Sequence, residues 1–509
     1  MEPTEIFELT EETFMKFQQL IDASPWRDIY HSDICRLIDS LSEPCKLAVT
    51  GRVKAGKSSL INVILGNDYA KVGTSETTAT INIFKFGNPP IHEKPILCEY
   101  IDGRKEWISQ EHLDSLQGNT NAIIKNNEEI KDLIYYIEDE RLKNTILIDT
   151  PGIDAVVGDE GDSHQKQTES FLGLRRQHEK DTITISNNAD AVILLLGDVV
   201  HESDKDFIDA FLKNRGNTSC MNTIGVLSQI DLTDERIENR LENAKSRYEA
   251  LSSYLNCVVP ISSGLKRYKP NRNEAKLMKD FLKKIKSRHQ LDNLLLSSER
   301  MYFLPTIPSI DLSLEERKRI YHQGTVPFRC FAVYLKILYD HSIDEALNII
   351  DDISGINELT TLLNNQFFSR SHQIKCDIAI RNALSIIWEI VNCKKVESNE
   401  NNSENYDFKA ITEKLREVQS SFEELLQETE LINNCFKCFT LVTENSELFT
   451  KDELEELKLL FSIKSVSFNN DRMNYWYSLS NNAKDEKVRY VANGAYLKYT
   501  DLAFCTNID

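Results

Sequence analysis

The sequence holds no apolar run of the roughly 18–20 residues that a membrane-spanning helix needs. Its most apolar stretch, around Ala191 to Leu196, is far shorter. Nor is there an excess of basic residues: 80 Asp and Glu stand against 60 Lys and Arg, a formal net charge of -20. Non-specific nucleic-acid binding depends on clustered Lys and Arg and is disfavoured. Broad attraction to anionic lipid is disfavoured too, although a local basic patch can override it. The N-terminal MEPTEIFELTEETF is acidic and amphipathic and lacks the basic-then-apolar order of a signal peptide. Cysteines at zinc spacing are also missing. Of 11 cysteines nine are scattered, and Cys435 and Cys438 form a single CxxC with no second pair to complete four ligands. That pair falls in a helical stretch, not after a strand as in thioredoxin-like motifs. It can share a metal or respond to oxidation, but Phe436 and Phe439 beside it favour reduced, packed core thiols in a cytosolic protein. No internal repeat is visible.

What is present is a long chain with ample core material. Its 509 residues suggest roughly two to four domains. A hydrophobic content of 41% with 28% charged residues excludes global disorder. Residues 4–40 read as helical, with Phe7, Phe14, Phe17 and Ile21 near a 3.6-residue period, a break at Pro25, and Ile34, Leu37, Ile38 and Leu41 beyond it. From 46 to about 288 strands and helices alternate. Strand candidates are 46–51, 80–86, 144–149, 190–196, 222–228 and 257–261, the inner ones continuous apolar runs suited to a parallel sheet. Ser203-x-x-Asp206 resembles a capping box opening a helix near 204. After about 300 strands disappear. Capping boxes at Ser313/Glu316, Ser342/Glu345 and Thr450/Glu453 each precede an apolar-periodic run. One long helix is expected from Ile356 to Val391 and another from Phe408 to Phe439, joined by the polar, acidic loop 397–407. The expected domains are N-terminal helices over 1–43, an α/β nucleotide domain over 44–295, and a helical bundle over 296–509. The fold class is a doubly wound, mostly parallel α/β P-loop domain plus an all-α bundle built from both ends of the chain.

Gly51-Arg-Val-Lys-Ala-Gly-Lys57-Ser58-Ser59 fits G-x-x-x-x-G-K-[ST] between a strand and a helix. Glycines there let backbone N–H groups wrap phosphates, Lys57 faces the β- and γ-phosphates, Ser58 offers a hydroxyl to Mg²⁺, and the helix N-terminus adds its dipole. Asp149-Thr-Pro-Gly152 follows another strand. Asp149 can hold Mg²⁺ through water, and the Gly152 N–H can meet a γ-phosphate. The polar loop Thr74-Ser-Glu-Thr-Thr78-Ala-Thr80 can supply a threonine to the metal shell when GTP is bound. Leu227-Ser228-Gln229-Ile-Asp231 ends a buried strand, and its carboxylate can accept both N1–H and N2–H of guanine, a pair that adenine cannot offer. Pro260-Ile-Ser262-Ser263-Gly264 forms a turn whose backbone can contact the base oxygen. In this order the stations are those of a guanine-nucleotide switch.

GKSSLIN, TTATI, LIDTPGID, DAVILLL and NTIGVLSQID together resemble the bacterial branch of the dynamin-like large GTPases, and SGINELTTLLNNQFFSRSHQIK resembles the first stalk helix of that branch. The resemblance implies a first motif at 51–59, contacting nucleotide through Gly51, Lys54, Ala55, Gly56, Lys57, Ser58 and Ser59. It implies a switch threonine at Thr78, a third motif at 149–152, a fourth at 228–231 and a fifth near 260–264. Metal would be held by Ser58, Thr78 and Asp149. The family's fourth motif is usually N/T-K-x-D; here Ser228 and Gln229 replace the first two residues, and Asp231 is kept. Eukaryotic dynamins carry Gln and Ser just before the Ala-Gly-Lys, where this chain has Val53 and Lys54. In atlastin and guanylate-binding relatives the slot of Lys54 holds an arginine finger, which a lysine copies with less geometric control.

The resemblance further implies GTP hydrolysis with Mg²⁺, nucleotide-dependent dimerisation of the nucleotide domains and movement of the helical part for membrane-associated remodelling. It implies a cytoplasmic protein, with peripheral contact at the inner face of the cell membrane. The alternative is a soluble switch whose helical part binds a partner protein; a ribosome-assembly role is weakest, since no nucleic-acid-binding module is evident. Glu76, His164 and His178 read as solvated, with water orientation or switch coupling as alternatives. The basic segment 264–288 reads as a solvated helix face, or as a phosphate-binding one. Residues 383–396, around Trp388, read as bundle core, with bilayer contact as the alternative.

Overall fold

A computed structural model describes residues 3–52, 55–67, 69, 81–116, 130–150, 189–197, 202–214, 222–295, 299–307, 312–322, 324–392, 407–461 and 467–506. The chain divides into two compact units, 46–209 with 223–363 and 1–45 with 210–222 and 364–509.

The first unit is built on a nine-stranded sheet: β1 Cys45–Gly51, β2 Ile81–Phe86, β3 Ile96–Tyr100, β4 Lys105–Ile108, β5 Ile130–Ile137, β6 Thr145–Asp149, β7 Ala191–Leu196, β8 Thr223–Leu227 and β9 Val258–Pro260. Their order is β4-β3-β5-β2-β6-β1-β7-β8-β9. β1, β7, β8 and β9 run parallel, and every residue of β7 and β8 is buried, which explains their unbroken apolar sequences. This is the mostly parallel α/β class expected from the sequence.

The expected helices between 86 and 144 are largely strands instead. β5 pairs parallel with β2, while β3 pairs antiparallel with β5 and β4. The turn between β3 and β4 carries Asp102-Gly103, with Gly103 at φ +87°, so the hairpin signal was present. β5 was obscured by Lys131 and Asp132 within an Ile- and Tyr-rich strand. The helix expected near 204 starts at Glu202, so Ser203 is its second residue and not its cap.

A larger difference concerns 296–363, expected to belong to the bundle but grouped with the α/β unit. Leu291, Leu294 and Leu295 share a core with Tyr302, Leu312, Tyr321, Phe331, Leu335 and Leu338. Arg317 is fully buried there and donates to the backbone carbonyls of Tyr302, Leu304 and Leu312, satisfying acceptors that no strand or helix pairs. Within the basic segment 264–288, Lys266 and Lys269 meet Asp351, Arg272 meets Asp344, Lys284 meets Glu316 and Arg288 meets Asp340, so these charges are paired inside the unit.

The second unit is helical in its described residues. Phe14, Phe17 and Ile21 of helix Pro3–Asp22 and Ile34 and Leu41 of Arg27–Ser42 share one core with Ile380, Ile387 and Ile390 of Ser371–Asn392 and Phe422 of Phe408–Glu444. The two ends of the chain thus form one bundle. All three capping boxes predicted after 300 are present with both hydrogen bonds. The long helix expected over 356–391 breaks at Phe367 into Ile356–Gln366, a short 3-10 turn and Ser371–Asn392. The cause is Arg370, which is buried, takes the Gln366 carbonyl and the Asn433 side chain, and lies over the Phe436 ring. Burial lowers its pKa to about 10. Among 383–396, Ile387 and Ile390 are core, whereas Trp388 is 66% exposed. All of the loop 397–407 except Asp407 lies outside the described residues.

Cys438 is buried in a third cluster with Val442, Phe449, Trp476 and Val491, beside partly buried Cys435. Burial raises both thiols, and no group of three metal-binding side chains occurs among the described residues. A Cβ added to Gly494 would stand 2.3 Å from Cys438 Sγ. Gly494→Ala should therefore cost about 1–3 kcal/mol through overpacking. Thermal unfolding would show it as a lowered Tm, and an unchanged Tm would mean that Cys438 rotates away freely.

Candidate functional site

β1 delivers the chain into the phosphate loop at Gly51, whose partner across the sheet is Leu195 of β7. Gly51 adopts φ +146°, and a Cβ there would lie 2.8 Å from the Leu195 carbonyl oxygen. Only glycine fits so close an approach. Gly56, also at positive φ, caps the helix Lys57–Leu65. Lys57 is buried, and its Nζ donates to the carbonyls of Gly51 at 3.1 Å and Arg52 at 3.0 Å. Its ammonium is thereby held over the loop's own mouth. Ala55 and Ser59 lie on either side of this turn, both partly buried.

Ser58 Oγ donates to Asp149 Oδ2 at 2.8 Å, joining the first motif to the end of β6. Asn82 of β2 stands opposite Asp149 in register and donates to the same oxygen at 3.4 Å. Sequence reasoning passed over Asn82; the signal was a lone amide inside the apolar strand TINIFKF. Asp149 Oδ1 is buried and has no hydrogen-bond partner among the described residues. Burial pushes this carboxyl above its ordinary value, opposed by Ser58, Lys57 and Asn82. A buried carboxylate oxygen without a donor beside a serine hydroxyl is suited to a hard divalent cation or its bound water. Thr150 ties the next residue down, its Oγ1 donating to Val49 O at 3.0 Å.

At the end of β8, Ser228 Oγ donates to Ala55 O at 2.8 Å, bracing the phosphate loop from the slot where the family pattern places Asn or Thr. Gln229 takes φ +59°, the one non-glycine at positive φ among the described residues. Such a conformation in a non-glycine residue is uncommon and is held by its neighbours; here Arg236 donates to the Gln229 carbonyl. Asp231 is buried. Its Oδ1 accepts from Ser262 Oγ at 2.6 Å and its Oδ2 from Arg329 Nε at 2.5 Å. Ser262 also accepts from Leu265 N, capping the helix Ser263–Arg267, and its own N–H donates to Ser354 O at 2.9 Å. Ser262 thus also acts through its side chain on Asp231. Ser263 is partly buried at the same turn.

The structure therefore gathers Gly51, Ala55, Gly56, Lys57, Ser58, Ser59 and Asp149 at one end of the sheet, linked through Ala55 to Ser228 and its neighbours Gln229, Asp231, Ser262 and Ser263. Lys54, Thr78 and Gly152, together with Glu76, His164 and His178, lie outside the described residues. Arg329 and Ser354, from the helices after the expected domain end, were not anticipated. Nothing local in the sequence marks them, because both reach the site through tertiary contacts.

Residues 47–230 match the family model described as "Dynamin family". Over these residues the chain is similar to the dynamin family. The chain is 27% identical over 237 residues to Dynamin-like protein 2 of Campylobacter jejuni, covering 45% of this chain and 33% of that one. It is 29% identical over 119 residues to Isoniazid-induced protein IniC of Mycobacterium tuberculosis, 23% of each chain. The chain thus spans a third or less of the length of these relatives. Among solved structures, one whose description reads "an oligomerised bacterial dynamin pair" that senses and tethers membranes aligns over 99% of this chain and 90% of its own, at 15% identity and a TM-score of 0.34. Aquifex aeolicus Era bound to GDP and aluminium fluoride aligns over 48% and 68%, at 14% identity and 0.23. Among the described residues no helix is long and apolar enough to cross a membrane.

Proposed function

We propose that this dynamin-like domain binds and hydrolyses GTP with Mg²⁺ and that two such domains pair across their nucleotides to move the helical unit at a membrane surface. The observation that carries the first part is the Ser58–Asp149 bond beside the buried, donor-free Oδ1 of Asp149 at the mouth of the phosphate loop. Ser58 and Asp149, with Thr78, would hold the cation, which when bound neutralises charge developing on the β- and γ-phosphate oxygens. Lys57 orients those phosphates, and Asp231, held by Ser262, reads the guanine edge.

Calorimetry with GDP and ADP tests the base reading. A charge-assisted pair to the base is worth about 1.5–3 kcal/mol, so GDP should bind about tenfold to hundredfold more tightly than ADP. Equal affinities would remove the guanine assignment. Asp231→Asn should shift the preference toward xanthine, whose additional carbonyl accepts from the new amide.

Pairing of the domains is supported by the family and by the position of Lys54, three residues before Lys57. A cation placed on the transferring phosphates can accelerate transfer about 10³-fold, a lysine less than an arginine. GTP turnover per molecule should rise with protein concentration. Lys54→Ala should keep nucleotide affinity within a few-fold and flatten that rise. Concentration-independent turnover would favour the soluble switch, with the helical unit binding a partner protein. For the membrane part, Trp388, Val391 and Phe408 are exposed on the helix ends that flank 393–406. Co-sedimentation with anionic liposomes, with and without GTP, separates the two readings.

A further inference from the structure

Asp231 is the residue on which base recognition rests, yet both of its oxygens are engaged. Oδ1 accepts from Ser262 Oγ, which orients the carboxylate. Oδ2 accepts from Arg329 Nε at 2.5 Å and has Cys330 Sγ at 3.6 Å. The side chain of Asp231 is 2% exposed, while that of Arg329 is 45% exposed. The arginine therefore lies on the solvent side of the carboxylate and shields it.

Two chemical points give this pair a meaning beyond an ordinary ion pair. A guanidinium presents N–H groups in the same planar arrangement as the N1–H and N2–H edge of guanine, so Arg329 offers Asp231 what the base would offer. Arg329 also sits in the first turn of the helix Phe328–Asp340, where the helix dipole disfavours a cation. Its placement there is thus sustained by Asp231 and not by its own helix. The same helix is anchored to the turn beyond β9: Tyr334 donates to Leu265 O at 3.0 Å, and a Cβ on Gly264 would stand 3.0 Å from Cys330 Sγ. Motion of its first turn is therefore felt at the base-binding turn.

We propose that Arg329 is an internal competitor for the guanine edge: a guanine nucleotide binds Asp231 by displacing Arg329, and the helix Phe328–Asp340 thereby senses whether a guanine is present. The inference rests on Asp231 being the base-reading residue. It predicts that guanine affinity is set below the value the bare site would have, and that adenine nucleotides, which make no claim on Asp231, are indifferent to Arg329.

The test is GDP and ADP titration of the full chain with Arg329→Gln and Arg329→Ala. GDP should bind about three- to tenfold more tightly in both variants, the modest size reflecting a half-exposed partner, while ADP affinity stays level. Unchanged or weakened GDP binding in both variants overturns the proposal. Should either variant fail to fold, hydrogen exchange on the unsubstituted protein decides. Addition of GDP, but not ADP, should speed exchange of the amides of residues 331–333, whereas unchanged or slowed exchange overturns the competition. Equal GDP and ADP binding by the unsubstituted protein defeats the guanine reading itself, and the competition with it. A clear GDP preference that Arg329 variants leave unmoved defeats only the competition.

Discussion

Lys57→Ala should abolish measurable GTP and GDP binding. The ammonium donates to the Gly51 and Arg52 carbonyls, and it can exchange these two carbonyl oxygens for phosphate oxygens. Two charge-assisted bonds to phosphate at about 2 kcal/mol each amount to roughly a 10³-fold loss of affinity. Lys57→Arg should not rescue it, because a bulkier planar fork does not fit a buried slot lined by two carbonyls. The measurement is titration with a fluorescent GDP analogue, alongside a Tm to show that the fold survives. Retention of micromolar binding in Lys57→Ala would mean that the nucleotide lies elsewhere.

Gly355→Ala should have the largest effect on stability and should reach the nucleotide site as well. Gly355 ends the helix Ile343–Ser354 at φ +66°, a conformation costly for alanine, and a Cβ there would lie 2.1 Å from the Pro260 carbonyl oxygen. That oxygen belongs to the backbone at the end of β9 and cannot rotate aside. The neighbouring Ser354 carbonyl accepts from Ser262 N, so any retreat of Gly355 strains the residue that orients Asp231. Left-handed strain of about 1 kcal/mol plus the clash should total about 2–4 kcal/mol, a Tm lower by roughly 5–10 °C. Guanine affinity should fall with it, while Gly103→Ala, also at positive φ but in the open β3–β4 turn, should cost about 1 kcal/mol and leave binding untouched. A Gly355→Ala protein with normal Tm and affinity would show that the helix end is not a support of the base-binding turn.

The two substitutions differ in how visible their residues are in the sequence. Lys57 stands in a motif whose chemistry is local: a strand, a glycine turn and a helix start occur within fifteen residues, and the spacing alone brings N–H groups, ammonium and hydroxyl to one point. The same holds for Asp149 and Asp231, each placed by the end of a buried strand. The apolar runs of β1, β6, β7 and β8, the three capping boxes and the break near Pro25 were legible for the same reason, since periodicity and cap chemistry act over a few residues.

Gly355, Ser354 and Arg329 carry no such mark, and Asn82 shows only as a lone amide in an apolar strand. Asn82 matters because β2 pairs antiparallel with β6 in the register that sets it against Asp149. Arg329 matters because the helices after residue 296 fold onto the α/β unit, where sequence reading had joined them to the bundle. Helix amphipathicity says that a face will be buried but not against what. The sequence by itself therefore determined a P-loop α/β domain, the residues proposed for phosphate and metal, and a bundle formed from both ends of the chain. Tertiary structure alone decided which helices pack beside Asp231 and that its oxygens are held by Ser262 and Arg329, because partners about 30 and 100 residues away in the chain are chosen by packing and not by local propensity.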